Sequence, residues 1–130
     1  VNLQIHSPLL VTVLVTDPRL DEGEREALAQ ALYLQLRDAH DALLDLRRPR
    51  ESELPPGAKA AGATVLGAFV ATVAAASLRH FFEILEERLR ALEVSLQLDL
   101  GGRTVRVIAR SAADFEAALA AAAELAAGGR

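Results

Sequence analysis

The chain has 130 residues, 52% hydrophobic and 25% charged, which is the size and composition of one globular domain. It has no cysteine, which excludes a disulfide scaffold, a thiol nucleophile and a thiolate zinc site, and its three histidines, His6, His40 and His80, are too scattered in sequence to suggest a metal cluster. A net charge of −4 argues against a dedicated nucleic-acid binder.

Residues 1–7 read as an N-terminal extension or an edge strand, because Val1 to Ile5 alternate. Residues 8–130 then read as a single α+β domain. Leu9 to Thr16 (LLVTVLVT) is β-branched and alternating, with Val11, Val13 and Val15 on one face, and its lack of charge suggests a central strand. Asp17-Pro18 ends it. Asp21 with Glu24 forms a capping-box pattern, and the acidic run Asp21, Glu22, Glu24, Glu26 suits the positive end of a helix dipole. Leu28, Ala31, Leu32, Gln35 and Leu36 recur at helical spacing, so residues 20–38 are expected to be an amphipathic helix. Ala42 to Leu46 (ALLDL) reads as a second strand, laid parallel to the first by a right-handed crossover. The Pro-rich segment 47–58 (RRPRESELPPGA) is a solvated connector within the domain.

Between Lys59 and Arg79 lie nineteen residues without a charge, Ala60 to Leu78. Nothing in the pattern ends before about Ala91, so a long central helix is expected near 59–91. Its second half is amphipathic, with Phe81, Leu85, Leu89 and Leu92 on one side. Its first half has the length of a membrane span, but Ala, Gly, Thr and Ser dominate it and no Trp or Tyr flanks it. The favoured reading is a buried helix. On it Ala63, Gly67, Ala71 and Ala75 repeat every four residues as a small-residue ridge for a partner, and Val65, Phe69, Val73, Phe81 and Leu85 face the sheet.

Val94 to Leu100 and Thr104 to Arg110 alternate around Gly101-Gly102, the pattern of a two-residue hairpin. Val105, Val107 and Ala109 should face the core, with Arg103, Arg106 and Arg110 outside. Ser111 with Asp114 opens a last helix through Phe115, Leu119 and Leu125, released by Gly128-Gly129. The order is β-α-β-α-β-β-α. It predicts a two-layer domain with a four-stranded mixed sheet and helices mainly on one face, related to the ferredoxin-like arrangement.

Chemistry is sparse. His80 and Glu83 lie at i, i+3 and read as part of a solvated face interleaved with Arg79, Arg88 and Arg90. No Gly-x-Ser-x-Gly elbow, Gly-x-Gly-x-x-Gly loop, Walker A loop or His-Glu-x-x-His pattern occurs. No enzyme activity, catalytic residue, cofactor or metal is therefore expected.

The sequence resembles the effector-associated constant component of bacterial conflict systems. The resemblance is carried by the opening strand (LLVTVLVTD), the loop (LPPGAKAAG) leading into an Ala/Gly-rich segment (ATVLGAFVATVAAASL), the hairpin (VSLQLDLGGRTVRV) and the closing segment (SAADFEAAL). It spans most of residues 8–127. It implies a small non-enzymatic, cytoplasmic adaptor that couples an effector, such as a peptidase, to an NTP-dependent signalling ATPase, with self-association as a further expectation. It carries over no catalytic positions. Two other classes fit the residues: a membrane-associating sensor that inserts the Ala/Gly-rich segment, and a small ferredoxin-like ligand-binding regulator.

Overall fold

The alternation of Leu9–Val15 becomes strand β1, with Leu9, Val11, Val13 and Val15 buried on one face. The computed structural model describes residues 8–38, 43–49, 60–61, 64–65 and 67–127. The elements that follow are α1 (Glu22–Arg37), β2 (Asp45–Arg47), the two-residue strands β3 (Ala60–Ala61) and β4 (Thr64–Val65), and β5 (Ala68–Val73). Then come α2 (Leu78–Leu89), β6 (Val94–Leu100), β7 (Arg103–Ala109) and α3 (Ala112–Ala126). Five strands form one sheet in the order β2-β5-β1-β6-β7, with every neighbouring pair antiparallel; β3 and β4 pair separately. The expected Val1–Ile5 strand, His6, His40 and the Gly128-Gly129 stop lie outside the described residues.

One face of the sheet carries the core. Val11 and Val13 lie between Ala71 and Phe69 on β5 and Leu98 and Leu96 on β6, and Val105, Val107 and Ala109 continue that face onto β7. The buried side chains of all three helices join this cluster, among them Leu32 and Leu36, Phe81 and Leu85, and Phe115 and Leu125. Each such side chain removed from water contributes roughly 1.5–3 kcal/mol. The hairpin has the expected form: Gly101 and Gly102 both have positive φ, 57° and 83°, as a primed two-residue turn requires. The α1 cap is also as expected. The Asp21 carboxylate accepts from the Glu24 amide at 2.7 Å, and the Asp21 amide donates to Glu24 Oε1 at 2.9 Å. On that helix Ala29, not Ala31, takes the buried place beside Leu32 and Leu36.

Three expectations are corrected. The described residues of 59–91 do not form one helix. Helix α2 begins only at Leu78, after a 3-10 turn at Ala75–Ser77, and Ala68–Val73 is a strand. The reason is burial on both faces: Phe69 and Ala71 are wholly buried on the core side, while Val70, on the other side, is 2% exposed. A strand with a partner on each edge and cover on each face has no place for charge, so its sequence is a continuous apolar run like that of a buried helix. Among the described residues no helix is long and apolar enough to cross a membrane.

The sheet has five strands rather than four, and it is antiparallel rather than mixed. β1 and β2 do run in the same direction, but β5 is inserted between them and pairs with both. The second strand also starts later than expected, at Asp45.

Candidate functional site

Helix α3 packs its apolar side onto β6, β7 and α2, and the buried side of α2 joins the same core. Phe81 and Phe82 meet edge to face at 5.6 Å on α2, and Phe115, Ala118, Leu119 and Ala122 are buried on α3. The entry to α3 is fixed by Ser111, whose hydroxyl accepts from the Asp114 amide at 3.3 Å, while the Asp114 carboxylate accepts from the Arg110 amide at 2.8 Å. Along α3, Glu116, Ala120, Ala123 and Ala127 fall at i, i+4, i+7 and i+11, beside the buried Leu119 and Ala126. Together with Ala75, Ala76 and Leu78 they wall an open groove of about 490 Å³. Among the described residues Arg79 and Glu116 are its charged lining. Because alanine methyls line so much of it, another backbone or an apolar side chain can approach closely. The volume lies within the roughly 300–1,000 Å³ usual for small-molecule sites, but among the described lining residues Arg79 and Glu116 are the polar side chains and the rest are Ala or Leu.

The four residues expected to form a partner-binding ridge do not share an element. Ala63 lies outside the described residues. Gly67 is buried in the turn before β5 with φ +73°, and Ala71 is wholly buried in β5. Ala75 alone reaches a surface feature, as part of the groove wall. The α3 side of the groove was missed because the stretch Ala120–Ala123 reads as compositional bias in a chain with 26 alanines. Its signal is the helical spacing of residues 116, 120, 123 and 127, a row beside the buried Leu119 and Ala126, which also line the groove.

A second cluster joins the loop after β1 to the start of β6. Asp17 is 1% exposed, and its carboxylate accepts from the Arg19 amide at 2.9 Å, from Arg19 Nε at 2.9 Å and Nη2 at 2.6 Å, and from the Glu93 amide at 3.0 Å. Arg19 Nη2 also reaches the Ala91 carbonyl at 2.7 Å. These bonds from the Arg19 side chain and amide, and then from Glu93, hold the Asp17 carboxyl far below the usual carboxylate range against the opposing effect of burial. The same pairing raises the Arg19 guanidinium. A carboxylate held that low stays ionised at ordinary pH and makes a poor proton acceptor, so this pair acts as a staple between two loops and not as an acid–base couple. From sequence Asp17 marks only the end of a strand, since a lone Asp-Pro gives no sign of the Glu93 amide 76 positions away.

Glu26 makes the third tie. Its Oε1 accepts from the Gly67 amide at 2.7 Å and pairs with Arg48 Nη2, binding α1 to the start of β5 and the end of β2. His80 and Glu83 lie on the exposed side of α2, and among the described residues no group of three or more His, Asp or Glu side chains is placed to hold a metal. Comparison with family models, with curated proteins and with solved structures gives no match.

Proposed function

We propose that this chain is a non-enzymatic protein-interaction module, an adaptor that couples an effector such as a peptidase to an NTP-dependent signalling ATPase in the bacterial cytoplasm. The observation that carries the reading is the alanine-lined groove between the 3-10 turn, the start of α2, and α3. Its methyl-rich walls suit an apolar helix or side chain of a protein partner, and its two charges suit specificity at a rim. The resemblance of the sequence to the effector-associated constant component of conflict systems supplies the identity of the partners. The architecture we propose is an extended relative of the ferredoxin-like one. The order β2-β5-β1-β6 is that of a split β-α-β unit, to which β7 and α3 are added.

Ala120→Arg tests the adaptor reading. Ala120 is exposed, so the substitution leaves the core alone and its effect on stability should stay within about 0.5 kcal/mol. The tagged chain, expressed in its native host, should co-purify with an effector or an ATPase identified by mass spectrometry. Ala120→Arg should lose that protein while unfolding at an unchanged temperature. Recovery of the same ATPase or effector by the variant would remove the groove from the account. Recovery of neither protein by the unaltered chain would remove the adaptor reading itself.

A further inference from the structure

An adaptor that couples two proteins needs two surfaces, and the groove is one. We infer that the outer edge of β7 is the second, and that it takes up an extended acidic segment of a protein partner by strand addition; this rests on the adaptor reading.

Among the described residues β7 is the last strand of the sheet, with β6 as its one neighbour. Which of its backbone groups are free follows from the ladder. The Thr16 amide donates to the Glu93 carbonyl at 3.1 Å, so the odd-numbered residues of β6 bond towards β1 and the even-numbered ones towards β7. The bonded pairs across the hairpin are therefore Leu98 with Val105, Leu96 with Val107 and Val94 with Ala109. Thr104, Arg106 and Ile108 point their amides and carbonyls outwards. That is a template for three residues of an incoming strand.

The side chains along this edge specify the occupant. Thr104, Arg106 and Ile108 share the sheet face away from the helices, and Ile108 is 44% exposed, a rarity among the large hydrophobic residues here. Arg106 gives its Nε to Gln97 Oε1 at 2.8 Å, and Arg110, just past the strand, gives its Nε to Glu93 Oε1 at 3.0 Å. Each bond fixes the plane of a guanidinium while the terminal nitrogens, which make no bond among the described residues, remain for a carboxylate. The nearby acids are each engaged: Asp99 by Gln97 and Thr104, Glu93 by Arg110 Nε, and Asp114 by the Arg110 amide. The complementary segment carries acidic residues four apart with an apolar residue midway between them. The acids then meet Arg106 and Arg110, and the apolar residue covers Ile108.

A second copy of this chain fits poorly. Pairing β7 with itself along its whole length centres on Arg106, which places two guanidinium groups directly opposite each other, with Arg103 and Arg110 adding like charge.

The probe is a capped peptide, acetyl-Thr-Glu-Val-Ile-Val-Glu-Thr-amide, titrated to about 1 mM into the isotope-labelled full chain, a range that covers the weak end of specific binding. The amide resonances of Thr104, Arg106 and Ile108 should shift, and lysine in place of both glutamates should abolish the effect. Arg106→Glu should weaken binding at least about tenfold. Ile108→Pro should do the same without changing charge, since it removes an outward amide that β6 does not use. Both variants should unfold within a few degrees of the parent. Equal binding of the lysine peptide, no shift at these three residues, or full binding by Ile108→Pro would overturn the inference, as would a β7-paired dimer of the free chain. Partner capture that survives Ile108→Pro but not Ala120→Arg would keep the adaptor reading and strike out the β7 edge alone.

Discussion

Ala71→Glu is expected to remove much of the stability of the domain. Ala71 lies on β5 opposite Val11 and Leu46, on the core face, with no exposed surface. A glutamate there brings an unpaired charge and four extra heavy atoms into a packed interior. Overpacking alone costs about 1–3 kcal/mol, and an uncompensated buried charge costs about 3–5 kcal/mol more. Against a total stability of about 5–15 kcal/mol for a domain of this size, a combined loss of about 4–8 kcal/mol removes much of the margin and, at its lower end, all of it. Circular dichroism of the variant should show a melt at least about 15 °C lower, or no folded baseline. Had Ala71 stood on a partner-facing helical ridge, the variant would fold normally and lose only its partner, so a melt at the parental temperature would contradict the strand assignment.

Gly67→Leu carries the second large effect. Gly67 turns the chain into β5 with φ +73°, its amide donates to Glu26 at 2.7 Å, and its carbonyl accepts from the Val15 amide at 2.8 Å. A Cβ at this position would sit 3.3 Å from the Cβ of Arg25 on α1. Any side chain therefore meets two obstacles, a left-handed backbone and the flank of a helix already tied down by its bonds to the Asp17 carbonyl and the Asp21 carbonyl. The strain of the backbone and the crowding together should destabilise by about 2–4 kcal/mol. In chemical denaturation the midpoint should fall clearly while the slope stays the same. A neutral result would mean that the turn is not formed as described.

Why some elements were legible in the sequence and others were not has a physical basis. β1, α1 and the β6–β7 hairpin each carry a signal that local chemistry generates by itself. These are alternation with β-branched residues, a reciprocal cap between Asp21 and Glu24, and two glycines where both φ angles must be positive. β5 carries no such signal. β1 is buried on both faces as well, but its run of β-branched residues marks it as a strand, whereas β5, with Val70 and Phe69 buried on opposite faces, sits inside an Ala/Gly-rich, charge-free stretch that has no such mark. Burial of both faces also explains why the charge-free stretch looked like a span or a partner helix. The insertion of β5 between β1 and β2 is a matter of long-range pairing, which a crossover rule for neighbouring strands does not address. The groove was only partly legible. Ala75 was singled out for the wrong reason, as a step on a ridge, and it belongs to a wall whose other side, Ala120, Ala123 and Ala127, comes from the far end of the chain. The Asp17 staple was not legible at all, because its partner Glu93 opens a different strand.

The order of the sheet underlies every functional statement above, since it buries β5, brings α2 and α3 together over the core and leaves β7 at an edge. Residue-resolved amide hydrogen exchange of the free protein tests it most directly. Phe69, Ala71 and Val73, bonded to β1, should exchange only through global unfolding, as should Val105 and Val107, bonded to β6. Thr104, Arg106 and Ile108, whose amides point away from the sheet, should exchange orders of magnitude faster than their immediate neighbours. Fast exchange across residues 69–73, or equal protection along the whole of β7, would contradict the account.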